Sequence, residues 1–227
     1  MRDLVAVKQF RSTGGNSSLD ETLFALVAQD IEKQGYSIRP GALPEALANS
    51  LLVHQQTMDA AKFNNAGIGR GDEYLKNELV RTDEICWITG NTEAGKQWLD
   101  WTASLQDYLN RRLFLGLFSF ESHFAHYGPG DYYKRHYDAF RGESNRILSV
   151  VAYFNPDWTN SNAGELVLYT DDHDKDGIKV TPLLGTLATF LSEEFPHEVL
   201  AANRHRYSIA GWYRVNTSIS GKVDPPL

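Results

Sequence analysis

The sequence contains a single cysteine, and it lacks any apolar run of roughly 18 residues, the length that crosses a membrane. Cys86 alone cannot form an intramolecular disulfide or a zinc-thiolate site, so nothing in the chain calls for an oxidising compartment. The first residues are charged and polar, without the apolar stretch of a signal peptide. We therefore expect a cytoplasmic protein that makes no membrane contact.

Basic side chains are also scarce, with 22 Lys and Arg against 29 Asp and Glu and a formal net charge of -7. Because nucleic-acid binding requires a surplus of positive charge, this balance argues against a nucleic-acid partner. Hydrophobic residues make up 42% of the chain and aromatic residues 12%, which is typical of a globular protein and excludes natural disorder. With 227 residues, we expect a single domain over 1–227.

The first part of the chain, residues 1–58, is predicted to be helical. Ser18 and Glu21 have the spacing of a capping box, and the apolar residues after them recur at helical spacing until Gly35. A second helix is predicted over residues 44–58.

Residues 59–83 break this helical pattern, since they mix Gly, Asn and charges of both signs without periodicity. A compact domain rarely carries a loop of this length unless the loop has a function. We interpret the segment as a mobile loop that acts as a lid.

The rest of the sequence predicts a β-rich core over residues 84–216. After a short strand at 85–88, Thr92 begins an embedded amphipathic helix that spans 92–112. Over 117–215 the chain has seven or eight short apolar or alternating runs, separated by turn signals and without intervening helices. This pattern predicts a mainly β fold, a jelly roll or double-stranded β-helix, with amino-terminal and central helices supporting it.

The main chemical signal is the triplet His136-Tyr137-Asp138 on a predicted strand. Because strand side chains alternate between faces, residues 136 and 138 point the same way. His197, which follows a buried strand, is the candidate third ligand; two histidines and one carboxylate form the triad that holds non-haem iron(II) with open positions. Arg206 opens the next strand, where a buried guanidinium requires an anion such as a carboxylate.

These motifs resemble the iron(II)- and 2-oxoglutarate-dependent oxygenases, specifically the prolyl 4-hydroxylases of the hypoxia-sensing type and their bacterial members. The resemblance covers roughly residues 81–213. Three blocks of sequence carry it: Tyr127–Asp138, Arg146–Asn155 and Ala163–Leu168.

The resemblance implies a role for each member of the constellation. His136, Asp138 and His197 would bind the iron. Arg206, together with the hydroxyl of Tyr153, would hold the distal carboxylate of 2-oxoglutarate.

The resemblance also implies contacts around these groups. Tyr127 and Tyr133 would line the co-substrate pocket. Arg146 and Trp212 would face the peptide substrate, and the loop 59–83 would close over it. Because an amphipathic ring serves packing equally well, the aromatic residues taken alone leave a purely structural role open.

The implied reaction uses Fe(II), O2 and 2-oxoglutarate, with ascorbate as a reductant, and releases succinate and CO2. Its target would be C4 of an exposed prolyl residue in a protein, and bacterial members of the family point to elongation factor Tu. Two alternatives stay open: an oxygenase that acts on a small molecule or another side chain, and a metal-binding jelly roll without catalytic activity.

Five of the seven histidines lie outside this set. A single histidine in a core is most often a satisfied structural residue, and we predict this for His123, His126, His173 and His205. Alternation from Arg206 also predicts that His205 faces outward.

Overall fold

The computed structural model describes residues 16–59, 62–65, 80–139 and 145–215. Within them lie three α-helices: α1 (Asn16–Gln34), α2 (Glu45–Thr57) and α3 (Glu93–Leu113). None of these helices has the length and apolar character needed to span a bilayer. The described strands are β1 (Tyr36–Arg39), β2 (Asn64–Asn65), β3 (Glu84–Trp87), β4 (Ser119–Tyr127), β5 (Tyr133–His136), β6 (Arg146–Tyr153), β7 (Leu166–Leu168), β8 (Ile178–Val180), β9 (Leu187–Leu191), β10 (His197–Val199) and β11 (Arg206–Arg214).

Helix α3 begins and ends where its sequence provides capping groups. The Thr92 hydroxyl accepts a hydrogen bond from the Gly95 backbone N–H at 3.1 Å, which satisfies a donor of the first turn. At the other end, Phe114 adopts the left-handed conformation with φ of 55°. The predicted helix over 92–112 agrees with α3 to within one residue at each end. Its apolar stripe is buried and includes Trp98, Trp101, Leu105 and Leu109.

The two amino-terminal helices agree with the sequence pattern except at one end. Helix α1 begins two residues before Ser18, so the prediction that Ser18 and Glu21 form its capping box is wrong. The same spacing also fits inside a helical turn, where residues three apart are neighbours. Helix α1 ends before Gly35, which has φ of 80°, and α2 agrees with the helix predicted over 44–58.

The strands form two antiparallel sheets that pack against each other. The larger sheet has the order β1-β9-β6-β11-β4-β3-β2, and the smaller has the order β5-β10-β7-β8. This arrangement confirms the predicted double-stranded β-helix with supporting helices. Strands β1 and β8 were not predicted, because each is only three or four residues long and is defined by its pairing with β9 or β7.

Alternate residues of the larger sheet belong to two different cores. On the outer face, Leu148 and Val150 of β6 pack in the cluster that contains the helices. On the inner face, Val151 and Tyr153 pack with Leu168 of the smaller sheet. The helices therefore cover one side of the larger sheet, and the space between the sheets is left for a binding site.

Part of the predicted lid over 59–83 can be placed. Residues 60–61 and 66–79 lie outside the described residues. In the described part, β2 pairs with β3, and Arg81 forms an isolated antiparallel bridge with Tyr133. The carboxyl-terminal end of the segment is thus attached beside β5, and the closing motion of a lid stays a prediction.

The Thr92 cap gives a test of this fold. We expect Thr92→Ala to lower the free energy of unfolding by about 1 kcal/mol, because the first turn of α3 loses its side-chain acceptor. Urea denaturation followed by circular dichroism measures the change. As a control, Ser104→Ala at an exposed position of α3 should change it by less than about 0.5 kcal/mol. Equal losses in the two variants would contradict the assigned cap.

Candidate metal centre and co-substrate pocket

Three side chains converge between the sheets where β5 meets β10. His136 is directly opposite His197 in the register of these strands, and Asp138 follows two residues after His136. The Nε2 atoms of His136 and His197 lie 3.7 Å and 3.5 Å from the carboxylate oxygens of Asp138. Among the described residues, this is the one group of three or more His, Cys, Asp or Glu whose ligand atoms lie within 4.8 Å of one another.

The sequence predicts correctly that these residues converge, but the reason it gives for the position of Asp138 is wrong. Strand β5 ends at His136, so Asp138 lies beyond the strand and alternation along the strand does not position it. Its carboxylate is instead held by a neighbouring strand, because the Ser149 hydroxyl of β6 donates to Asp138 Oδ2 at 2.6 Å. Ser149 and Ser192 are in turn hydrogen-bonded at 2.9 Å. The alternating pattern of β6 places Ser149 on the inner face, but no local signal pointed to Ser192.

Both imidazoles are held by backbone carbonyl groups. His136 Nδ1 lies 2.7 Å from the carbonyl oxygen of Lys134, and His197 Nδ1 lies 3.1 Å from that of Phe195. Since a carbonyl only accepts, each Nδ1 carries the hydrogen and each Nε2 presents a lone pair toward Asp138. The two nitrogen lone pairs and the carboxylate oxygens repel one another unless a cation lies between them.

Burial also sets the charge of these groups. Burial and the neighbouring His197 hold the pKa of His136 well below its usual range, so the imidazole is neutral near pH 7. Burial alone would raise the pKa of Asp138, but the protonated forms of His197 and His136, Arg146 and the Ser149 hydroxyl outweigh this and keep that pKa low. Neutral imidazole and ionised carboxylate are the forms that bind metal, and this donor set fits Fe(II).

A buried cation lies at the start of β11. Arg206 is 1% exposed; its Nε donates to the Gly164 carbonyl at 2.8 Å and its Nη1 to the Ser208 hydroxyl at 3.3 Å. The Tyr153 hydroxyl is buried close to the Arg206 guanidinium, without a well-aligned hydrogen bond to any described residue. The Arg ion pairs found in the described part of the chain do not include Arg206; they involve Arg39, Arg81, Arg112, Arg146 and Arg214. A buried guanidinium beside an unpaired hydroxyl fits a small carboxylate ligand.

The three predicted pocket tyrosines lie around these groups. The Arg206 guanidinium is 4.9 Å from the ring centroid of Tyr127 and 5.0 Å from that of Tyr153. The Tyr133 ring stacks on His136 with centroids 3.5 Å apart. Burial raises the pKa values of Tyr133 and Tyr153 to about 12, so both hydroxyls keep their hydrogen at neutral pH. Their predicted contacts with 2-oxoglutarate stay predictions.

The two residues predicted to face a peptide lie together near the metal ligands. The Arg146 guanidinium is 3.7 Å from the ring centroid of Trp212, which is 8% exposed. Arg146 also forms an ion pair with Glu121 at 2.8 Å, which the sequence analysis did not predict. Part of the Arg146 charge is therefore neutralised within the protein, and contact of either residue with a substrate stays a prediction.

The other histidines differ from one another. His205 is exposed, as predicted, and its Nδ1 lies 2.9 Å from Nε2 of His126, whose Nδ1 lies 3.2 Å from Glu84. His173 is exposed in a turn. His123 is buried, but its Nδ1 has no hydrogen-bond partner among the described residues. The expectation of a satisfied core residue is therefore wrong for His123.

The hydrogen bonds that link Ser192 to Ser149 and Ser149 to Asp138 can be tested through metal affinity. We expect Ser149→Ala to weaken Fe(II) binding about 10- to 100-fold, because the carboxylate loses the donor that orients it. Anaerobic calorimetric titration measures the affinity. Ser192→Ala serves as the matched control, with a smaller loss because its hydroxyl reaches Asp138 only through Ser149. Unchanged affinity in Ser149→Ala would rule out this role.

Comparison with known proteins agrees with this geometry. A family model described as the 2OG-Fe(II) oxygenase superfamily matches residues 122–214. Egl nine homolog 1 from Homo sapiens is 29% identical over 142 residues, which are 59% of this chain and 33% of that protein. The Mus musculus protein of the same name is 30% identical over 59% of this chain and 35% of its own length. The matched part is thus about a third of each curated relative.

Two solved structures match over most of the chain. A prolyl-4-hydroxylase from Pseudomonas putida is 38% identical with a TM-score of 0.75, covering 86% of this chain and 100% of that one. A prolyl hydroxylase from Trichoplax adhaerens, in complex with a hypoxia inducible factor oxygen degradation domain peptide fragment, is 25% identical with a TM-score of 0.74, covering 90% and 94%. The chain therefore belongs to the 2OG-Fe(II) oxygenase superfamily as a homologue of prolyl hydroxylases, a family that uses Fe(II), 2-oxoglutarate and O2.

Proposed function

We propose that this chain is a dioxygenase that hydroxylates C4 of a prolyl residue in a protein substrate, releasing succinate and CO2. The observation that carries the proposal is the cluster of His136, Asp138 and His197, together with the buried Arg206, which has no ion pair among the described residues. The 38% identity to a bacterial prolyl-4-hydroxylase supports the choice of target. When bound, Fe(II) supplies, with 2-oxoglutarate and O2, the chemistry that inserts oxygen into a C–H bond.

The metal ligands would define which side of the metal is open. His136, Asp138 and His197 would occupy one face and leave the opposite positions for co-substrates. The backbone carbonyls behind both imidazoles keep each Nε2 directed at the metal, and the Ser149 hydroxyl orients Asp138. His136 is neutral and Asp138 is ionised near pH 7, so neither has to lose a proton before it binds.

Arg206 and Tyr153 would bind the distal carboxylate of 2-oxoglutarate. The Gly164 carbonyl accepts a hydrogen bond from Nε of Arg206 and so orients the guanidinium. The Tyr153 hydroxyl keeps its hydrogen at neutral pH and would donate it to the same carboxylate. This contact would give the Arg206 guanidinium an anionic partner, which the ion pairs of the described residues do not provide, and the Tyr153 hydroxyl an acceptor. The surrounding rings of Tyr127 and Tyr133 keep water out of the pocket, which strengthens each electrostatic contact.

The substrate is proposed to be a protein segment with an exposed proline. The Trichoplax adhaerens relative was solved with a hypoxia inducible factor peptide fragment, so a protein with this fold binds a peptide. By resemblance to bacterial family members, elongation factor Tu is the candidate protein. Arg146, Trp212 and the segment 59–83 would form the surface that receives it.

Product analysis tests the reaction. We expect the wild-type chain, given Fe(II), 2-oxoglutarate and elongation factor Tu or the hypoxia inducible factor peptide, to release succinate in step with a gain of one oxygen atom on a proline. Mass spectrometry and succinate release measure both products. We expect His136→Ala to abolish both, since one of the three metal ligands is lost. Succinate without a modified proline would favour another substrate class, and metal binding without succinate would favour a non-catalytic jelly roll.

The co-substrate assignment has a separate test. We expect Arg206→Ala to raise the KM for 2-oxoglutarate about 100-fold, since the carboxylate loses a buried charged partner. Arg206→Lys keeps the charge but loses the planar guanidinium, so its KM for 2-oxoglutarate should lie between the values of wild type and Arg206→Ala. Calorimetry should show unchanged metal affinity in both variants. A normal KM in Arg206→Ala would contradict the assignment.

A further inference from the structure

A row of rings runs from the surface toward the metal centre across neighbouring strands of the larger sheet. Trp87 of β3 is 52% exposed and packs edge-on against His123 of β4, with centroids 5.1 Å apart. His123 is 3% exposed, and its ring centroid lies 5.4 Å from that of Trp212 on β11. Trp212 is opposite Ser149 in the register of the sheet, and Ser149 holds Asp138. The inner end of the row is therefore next to the metal ligands.

Two polar atoms in this row are left without partners. His123 Nδ1 and Trp212 Nε1 are both buried, and neither has a hydrogen-bond partner among the described residues. Buried polar groups are nearly always paired, because an unpaired one has lost its bonds to water without replacement. Two such atoms on adjacent strands beside one site indicate a group that binds there from outside.

The chemistry of the two rings restricts that group. The indole N–H of Trp212 only donates, so its partner must be an acceptor. Burial, with Arg81 and Arg146 nearby, lowers the pKa of His123 to about 3, so its imidazole is neutral and can donate or accept. A prolyl residue has no N–H, and its carbonyl is an acceptor. A peptide main chain that contains proline therefore matches both atoms.

Distance excludes 2-oxoglutarate as the partner. Trp212 lies six residues after Arg206 on the same strand, which corresponds to roughly 20 Å at the rise of a β-strand. A five-carbon chain anchored by a carboxylate at Arg206 is too short to reach it. The group that Trp212 binds is therefore a different one from the co-substrate carboxylate at Arg206.

We propose that His123 and Trp212 form a hydrogen-bonding station for the main chain of the substrate, in which Trp212 Nε1–H donates to the carbonyl of the target residue and His123 binds an adjoining peptide group. This inference rests on the proposed function. It adds His123, which the sequence predicts to be a structural residue, to the substrate-binding residues. It assigns these two residues to recognition of the main chain of the segment.

Matched variants test the inference, with elongation factor Tu and the hypoxia inducible factor peptide as probes. We expect His123→Leu to raise the KM for the probe about tenfold, because a buried hydrogen bond is lost. His123→Asn keeps a polar atom near the place of Nδ1 and should recover most of the loss. Trp212→Phe keeps the ring under Arg146 and removes only the N–H, and it should also raise this KM about tenfold.

Thr189→Val is the control for the effect of removing a buried polar atom that has no hydrogen-bond partner. The Thr189 hydroxyl is also buried without a partner among the described residues, but Thr189 is opposite Val150, which packs on the helix-facing side of the sheet. The KM for the probe should not change in this variant. Thermal unfolding of all variants shows whether each is folded.

A spectroscopic measurement gives a readout other than turnover. The indole N–H resonance of Trp212 can be identified by its loss in Trp212→Phe. In Zn(II)-loaded protein with 2-oxoglutarate, we expect this indole N–H resonance to shift when the probe is added, because the N–H gains a hydrogen bond. A resonance that does not move while the probe binds would overturn the proposal.

The outcomes separate this inference from the proposed function. If wild type hydroxylates the probe and His123→Leu keeps the same KM, the station is wrong and the proposed function stands. If His123→Asn is as impaired as His123→Leu, the ring acts by packing and the proposal also fails. If wild type hydroxylates neither probe on proline, the proposed function fails and this inference falls with it.

Discussion

The antiparallel pairing of β5 with β10 is the constraint on which the site depends. It places His136 opposite His197, with ring centroids 4.3 Å apart, although the two residues are far apart in the sequence. Strand β10 also pairs with β7, whose leucines fill the core between the sheets. The hydrophobic core therefore holds the two strands that carry the imidazoles at a fixed spacing.

The helices contribute to the site from the opposite face of the larger sheet. The indole N–H of Trp98 on α3 donates to the Ser122 hydroxyl of β4 at 3.1 Å, and the Tyr213 hydroxyl of β11 donates to the Thr102 carbonyl of α3 at 2.7 Å. Strands β4 and β11 are paired along their whole length, with Arg206 opposite Tyr127. Contacts on the helix side of the sheet thus keep Arg206 and Tyr127, the residues proposed to line the co-substrate pocket, in register.

The sequence predicts features that depend on local patterns, and it misses features that depend on pairing between distant segments. The spacing of apolar residues located α3, and alternation located most strands of the core. The convergence of His136 and Asp138 was predicted correctly, but its cause was not, because a serine from another strand orients Asp138 beyond the end of β5. Strands β1 and β8 and the unpaired Nδ1 of His123 arise from tertiary contacts, for which no local pattern exists.

The charge distribution gives the site its selectivity for an anion. The chain has a formal net charge of -7, yet Arg206 and Arg214 are buried, and Arg81 and Arg146 are partly buried. Arg81 is paired with Asp83, and Arg146 and Arg214 share Glu121, whereas the ion pairs of the described residues leave Arg206 without an acid. A buried charge without a counter-ion destabilises the folded chain. A dicarboxylate bound at Arg206, as proposed above, would remove this cost, so its binding and the stability of the fold would be linked.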